Sequence, residues 1–78
     1  MSDSLIGNNI RRLRMARNMT QRELAENLRI SVQAVSKWER GYTYPDIFML
    51  VPIARIFDIS LDELFGYDKI EYEKNSTV

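Results

Sequence analysis

Residues 20–41 constrain the fold more than any other part of this 78-residue chain. Thr20 followed by Glu23 is a capping box, in which two side chains satisfy the free amides at the start of a helix. Ser31 is a second candidate for an N-cap. Gly41 suits the left-handed position that closes a helix. The segment therefore predicts two short helices separated by a tight turn.

The second of these helices, residues 31–40, divides its side chains between two faces. At about 100° per residue, Val35 and Trp38 point to one side. The other side carries polar side chains without an acid, namely Gln33, Ser36, Lys37 and Arg40. Gln can pair with adenine, Lys can donate to guanine or phosphate, and Ser can serve either. Two helices joined in this way form a helix-turn-helix, which can place its second helix in a DNA major groove, although an ordinary solvated face carries the same residue types.

In order and spacing, about residues 5–66 resemble the phage repressor and Cro type of helix-turn-helix domain, the XRE-like family. The landmarks are Ile10-Arg11-Arg12-Leu13-Arg14, Met19-Thr20-Gln21, Leu24-Ala25, Ile30-Ser31, Ser36-Lys37-Trp38-Glu39-Arg40-Gly41, Tyr44-Pro45-Asp46 and Ile59-Ser60-Leu61-Asp62-Glu63-Leu64. The resemblance implies an all-α, compact five-helix, lambda-repressor-like domain over residues 1–66. Such domains bind operator DNA, usually as dimers.

The resemblance also implies roles for individual residues. It places Val32, Gln33 and Lys37 where family members contact bases, and Ser36 adjoins them. Val32 either touches a thymine methyl group or seals the edge of the core. We expect the phosphate contacts to come from Thr20, Gln21, Ser31, Arg40, Tyr42, Thr43 and Tyr44, unless one tyrosine packs under the fourth helix.

Two further expectations concern the frame of the domain. Glu39 lies at the core edge of its helix and needs a cation, and the resemblance places Arg14 opposite it. The family usually has Gly where this chain has Asn18, Arg29 and Asp58. Asn and Asp tolerate the left-handed conformation fairly well, but Arg does so poorly. We therefore expect Arg29 to be strained.

The remaining helices follow from apolar spacing and caps. We predict a first helix over residues 5–17, a fourth beginning at Pro45 and ending near Phe57, and a fifth capped by Ser60 and Glu63. The predicted core stripes are Ile6, Ile10, Leu13 and Ala16 in the first helix, and Ile47, Leu50, Val51, Ala54 and Phe57 in the fourth. Residues 67–78 form either a solvated tail or a short edge strand.

Phe48 and Pro52 form an apolar pair on the side of the fourth helix away from its predicted core stripe. We expect a homodimer that uses the fifth helix, the outer face of the fourth, or residues 70–72. Alternatively, Phe48 folds over Pro52 or the Tyr44 ring within one chain.

The net charge is zero, but residues 1–40 carry a formal charge of +4 and residues 41–78 carry −4. A basic half attracts phosphate, while the acidic half points away or meets a protein partner. Such a split also arises by chance in small proteins. With neither Cys nor His, and with no nucleophile–base pair or phosphate loop, we expect no enzyme, no metal and no cofactor. The chain shows no secretion signal or long apolar run, so we expect a cytoplasmic protein.

These observations favour a sequence-specific transcriptional regulator, with repression as the expected mode, that reads double-stranded operator DNA with the helix over residues 31–40. One alternative is an antitoxin, which would also bind a toxin protein and autoregulate its own operon. Another is an interaction module that acts independently of DNA.

Overall fold

A computed structural model describes residues 5–67, which form five α-helices and no strand. The helices are α1 (Leu5–Ala16), α2 (Gln21–Leu28), α3 (Val32–Glu39), α4 (Ile47–Phe57) and α5 (Leu61–Phe65). The expected all-α five-helix architecture is confirmed. Of the predicted tail over residues 67–78, all but Tyr67 lies outside the described residues. None of the five helices is long and apolar enough to cross a membrane.

Three helices begin at the caps that the sequence predicts. The Thr20 hydroxyl accepts from the Glu23 amide at 3.0 Å, and the Glu23 carboxylate accepts from the Thr20 amide at 2.8 Å. Ser60 and Glu63 form the same reciprocal pair at the start of α5. The Ser31 hydroxyl accepts from the Ala34 amide at 3.1 Å. Each cap satisfies an amide that has no partner within its helix, which stabilises a protein by about 1 kcal/mol.

The predicted start of α4 was wrong. Pro45 is buried and lies one residue before the cap, which is Asp46. The Asp46 carboxylate accepts from the amides of Phe48 and Met49 at 2.9 and 3.1 Å. Proline is common at the first helical position, but a following Asp is a strong N-cap because its carboxylate reaches two free amides.

All five helices contribute to one core. Its buried members are Ile6, Ile10, Leu24, Ala25, Leu28, Val35, Trp38, Ile53, Phe57 and Leu64. Val35 and Trp38 are therefore on the inner face of α3, as predicted. On α1, Ala16 is exposed and does not join the predicted stripe.

The core face of α4 also differs from the prediction. Ile53, Ala54 and Phe57 are buried, whereas Ile47 is 72% exposed and Val51 is 46% exposed. Residues 47–54 are apolar without interruption, so periodicity gives no contrast between the two sides of the helix. The buried stripe lies to one side of the predicted stripe, and part of the apolar surface of α4 faces outward.

Two polar side chains of the α1 region bond to the last carbonyls of other helices. Asn9 is buried, and its Nδ2 donates to the Leu64 carbonyl of α5 at 2.9 Å. The Arg17 guanidinium donates to the Phe57 carbonyl of α4 and lies 5.3 Å from the centroid of the Phe57 ring. Both bonds satisfy carbonyls that have no partner within their own helix.

Arg14 and Glu39 form the ion pair that was expected to join α1 to α3. Arg14 Nε lies 2.7 Å from Glu39 Oε2, and Arg14 Nη2 lies 2.9 Å from Glu39 Oε1. Arg14 Nη1 also donates to the Met19 carbonyl at 2.7 Å. The side chains are only 12% and 3% exposed. The hydrogen-bonded Glu39 carboxylate raises the pKa of Arg14 above its ordinary value, against the lowering effect of burial.

Three residues that are not glycine adopt the left-handed conformation, at the positions where the sequence predicted it. The φ angles are 55° at Asn18, 60° at Arg29 and 56° at Asp58. Arg29 ends α2, and its backbone amide donates to the carbonyls of Ala25 and Glu26. The strained backbone of Arg29 thus closes the end of α2 and makes a tight turn into α3.

We predict that Glu39→Ala lowers the free energy of unfolding by about 3–5 kcal/mol, because Arg14 is left with a buried charge and no carboxylate. Urea denaturation measures the loss. Glu26→Ala, on the exposed side of α2, is the matched control and should change stability by less than about 0.5 kcal/mol. A loss below that value for Glu39→Ala would contradict the prediction.

We predict that Arg29→Gly raises the unfolding midpoint by about 4–8 °C. Removing the strain of a non-Gly residue stabilises the folded state by about 1–3 kcal/mol. The greater freedom of Gly in the unfolded chain takes back about 0.4–1 kcal/mol of that gain. A net gain near 1 kcal/mol gives that shift in a domain of this size. Asn18→Gly is the control, with a smaller gain because Asn tolerates the same φ. An equal or lower midpoint for Arg29→Gly would refute the strain argument.

Candidate nucleic-acid interface

The turn between α2 and α3 fixes how α3 leaves the domain. Arg29 reverses the chain, the Ile30 amide donates to the Ala25 carbonyl at 3.0 Å, and Ser31 caps the next helix. Val35 and Trp38 are buried on the inner face of α3. The outer face is consequently held in one orientation relative to α2.

That outer face brings together the residues predicted to read bases. Gln33 and Lys37 are exposed, and Ser36 is partly exposed. Residues three and four apart lie on the same side of a helix, so Arg40 continues this row. Amide, hydroxyl and ammonium groups are suited to the edges of bases in a major groove.

Val32 lies at the border between the two faces of α3. It is half-buried and packs against the hydrophobic core. Of the two interpretations, the structure thus supports the sealing of the core edge. A contact between Val32 and a thymine methyl group stays a prediction.

The hydroxyls of Thr20 and Ser31 stand at the first turns of α2 and α3. Each hydroxyl oxygen accepts a hydrogen bond from a backbone amide. A hydroxyl has one hydrogen of its own to donate, so accepting a capping bond does not prevent a phosphate contact. Both residues are exposed.

Gln21 is the first residue of α2 and is linked to the ion pair. Its Nε2 donates to Glu39 Oε1 at 3.0 Å, so Glu39 receives hydrogen bonds from both α1 and α2. The bond leaves the Gln21 amide a second N–H, which fits the phosphate contact expected from the resemblance. The sequence indicated only Arg14 as the partner of Glu39, and the resemblance implied that Gln21 braces the recognition helix without indicating Glu39 as its partner. The signal for a further partner is that an ionised carboxylate accepts several hydrogen bonds.

The loop after α3 presents its aromatic side chains to solvent. Tyr42, Thr43 and Tyr44 are all exposed, so neither tyrosine packs under α4. The Arg40 guanidinium lies over the Tyr42 ring, with Cζ 4.7 Å from the ring centroid. This contact was not predicted from the sequence, which indicated Arg40 and Tyr42 only as separate phosphate contacts.

Several known proteins are similar in sequence to this chain. A family model described as helix-turn-helix matches residues 10–64. The chain is 39% identical over 61 residues to the HTH-type transcriptional activator BcrR of Enterococcus faecalis, covering 78% of this chain and 30% of that protein. It is 42% identical over 53 residues to the cryptic phage CTXphi transcriptional repressor RstR of Vibrio cholerae serotype O1, covering 68% and 47%. The chain thus spans less than half the length of either relative.

The fold is shared with a solved structure as well. The restriction-modification controller protein C.AhdI from Aeromonas hydrophila is similar with a TM-score of 0.73 and 29% sequence identity. The similarity covers 80% of this chain and 94% of that chain. The family match includes α2, the turn and α3 in full. The chain therefore belongs to the helix-turn-helix family of the phage repressor and Cro type.

Proposed function

We propose that this protein is a sequence-specific DNA-binding transcriptional regulator that represses transcription by occupying an operator. The observation that carries the proposal is the exposed row of Gln33 and Lys37 on α3. That helix is buried on its other face and is held at its last turn by the Glu39 ion pair. A rigid helix with a polar, acid-free outer face is what major-groove readout requires.

In the proposed complex, α3 lies in the major groove. Gln33 pairs with adenine, and Lys37 donates to guanine or to a phosphate, with Ser36 beside them. Thr20, Gln21 and Ser31 contact phosphates from the first turns of α2 and α3, and the loop after α3 contacts the backbone on the other side. The charge of +4 on residues 1–40 attracts the duplex.

The activity consists of binding, and we propose no catalysis. We expect a cytoplasmic location, which is consistent with DNA as the proposed partner. Neither of these two relatives, BcrR and RstR, is named as an antitoxin, and no observation supports that alternative. One relative is named as an activator and the other as a repressor. A reporter gene fused to the bound promoter therefore decides whether this protein activates or represses transcription. Repression is the expected result.

A mobility-shift assay with genomic fragments at stated salt tests DNA binding itself. The region upstream of the protein's own gene belongs in the set. A discrete shift that survives excess random DNA supports the proposal. Binding to no fragment would favour the interaction module that acts independently of DNA.

We also propose a homodimer formed through the outer face of α4. Phe48 is 84% exposed, so it does not fold over Pro52 or the Tyr44 ring. Together with Ile47 and Val51 it leaves an apolar face on a helix where charge would be expected, and such faces mark protein contacts. One domain reads one half-site, and a two-fold dimer reads two half-sites about one DNA turn apart. A second copy is thus the occupant that the proposed function needs.

We predict that readout and positioning separate in mutants. Gln33→Ala should weaken binding to the operator by about 1–3 kcal/mol and relax preference at one base pair, because a base contact is lost. Arg40→Ala should weaken all sequences alike and lower the salt slope by about one, because a phosphate contact is lost. Titrations on operator and random duplexes measure both. Equal losses of Gln33→Ala on the two duplexes would disprove its role in readout.

We predict that Phe48→Glu abolishes dimerisation, because it places a charge in an apolar contact. Analytical ultracentrifugation across the micromolar range measures the association. Met15→Glu, at an exposed apolar residue on α1, is the matched control and should leave the dimer intact. Unchanged association of Phe48→Glu would move the interface to α5 or the tail. A protein that stays monomeric both free and on a palindromic operator would refute the dimer.

A further inference from the structure

The Arg40 side chain is held at two points at the end of α3. Its guanidinium carbon lies 4.7 Å from the centroid of the Tyr42 ring, within the range of a cation–π interaction. Its Nε donates to the Ser36 carbonyl at 3.4 Å. Arg40 is nonetheless exposed. A long side chain on the surface is therefore restrained without being buried.

The ring is attached to α3 through an ordered backbone. Gly41, at a φ of 80°, turns the chain back. The Tyr42 amide then donates to the Lys37 carbonyl at 2.9 Å, and the Gly41 amide donates to the Trp38 carbonyl at 3.1 Å. These bonds end α3 and leave Tyr42 directly beside its last turn. Movement of the ring relative to Arg40 is thereby limited.

Core packing does not explain the place of the Tyr42 ring, since the residue is 69% exposed. The contact with Arg40 leaves the N–H donors of the two terminal guanidinium nitrogens available, while Nε is bonded to the Ser36 carbonyl. A stacked guanidinium uses its flat face, while its N–H groups lie in the plane and point outward from the edge. An Arg fixed in this way remains able to bind a phosphate.

We propose that Tyr42 is a positioning residue that holds the Arg40 guanidinium ready for a DNA phosphate next to the groove read by α3. The proposal rests on the proposed DNA-binding function, and it gives Tyr42 a role through Arg40 in place of a hydroxyl contact of its own. A free Arg side chain loses rotamer freedom when it binds, which weakens binding. The Tyr42 ring restricts the Arg40 rotamers already in the free protein, so less rotamer freedom is lost on binding.

The test measures affinity for a random-sequence duplex over a series of salt concentrations, since a phosphate contact needs no operator. Tyr42→Leu removes the ring and should weaken binding by about two- to fivefold, the range expected for an exposed cation–π contact. Tyr42→Phe keeps the ring and should restore the affinity. In an Arg40→Ala background, Tyr42→Leu should cause no further loss, because the residue it positions is gone.

Three results would overturn the positioning role while leaving DNA binding intact. Tyr42→Phe as weak as Tyr42→Leu would mean that the hydroxyl contacts DNA itself. A full loss from Tyr42→Leu in the Arg40→Ala background would mean that the ring acts independently of Arg40. Wild-type affinity in Tyr42→Leu would mean that the ring has no role. A wild-type protein that binds no duplex would instead overturn the DNA-binding function, and the positioning role with it.

A second readout uses the free protein. In proton NMR spectra, the Tyr42 ring should shift the Arg40 side-chain signals upfield, and Tyr42→Leu should abolish the shift while Tyr42→Phe preserves it. Tyr44→Leu is the matched control, since Tyr44 is equally exposed in the same loop, and it should leave the Arg40 signals in place. Arg40 signals unaffected by Tyr42→Leu would show that the contact does not form, and would overturn the proposal.

Discussion

The orientation of α3 depends on one buried carboxylate, that of Glu39. It accepts hydrogen bonds from Arg14 on α1 and from Gln21 on α2. Arg14 also donates to the Met19 carbonyl, so the same hydrogen-bond network restrains the turn between α1 and α2. A buried ion pair is weak evidence for net stability, since desolvation offsets much of the attraction. Its hydrogen bonds are directional, unlike apolar contacts, and they join three helices at one carboxylate.

The domain accepts local strain to keep its turns short. Arg29 holds a left-handed φ of 60°. This conformation allows Ser31, only two residues later, to cap the start of α3. In a chain of 78 residues, folding leaves a small margin of stability. A loss or gain of about 1 kcal/mol at such a position is therefore a sizeable part of the total. The helix caps offset part of this strain, because each cap stabilises a protein by about 1 kcal/mol.

Features set by neighbouring residues could be predicted from the sequence. Those set by distant residues could not, apart from the Arg14–Glu39 pair, which the family resemblance indicated. The capping boxes at Thr20 and Ser60 depend on a few adjacent positions. The left-handed Arg29 was predicted from the family resemblance, because the family usually has Gly at that position. The core face of α4 escaped prediction because eight consecutive apolar residues carry no periodic contrast. Asn9 bonds to a carbonyl 55 residues away, and no local pattern reports such a distance. The Gln21 bond to Glu39 and the stacking of Arg40 on Tyr42 needed the folded arrangement.

The proposed contacts fall into two groups that differ in how they are restrained. Gln21 is held by Glu39, and Arg40 is held by the Tyr42 ring. Within residues 5–67, Gln33 and Lys37 have exposed side chains with no hydrogen bond or ion pair. Freezing a long side chain costs about 0.5–1.5 kcal/mol, against about 1–3 kcal/mol of discrimination from a good base contact. Phosphate contacts then supply affinity with little loss of freedom, whereas each base contact adds modest selectivity. On the proposed contacts, a single α3 discriminates weakly, and the proposed dimer on paired half-sites offers the direct route to a selective operator.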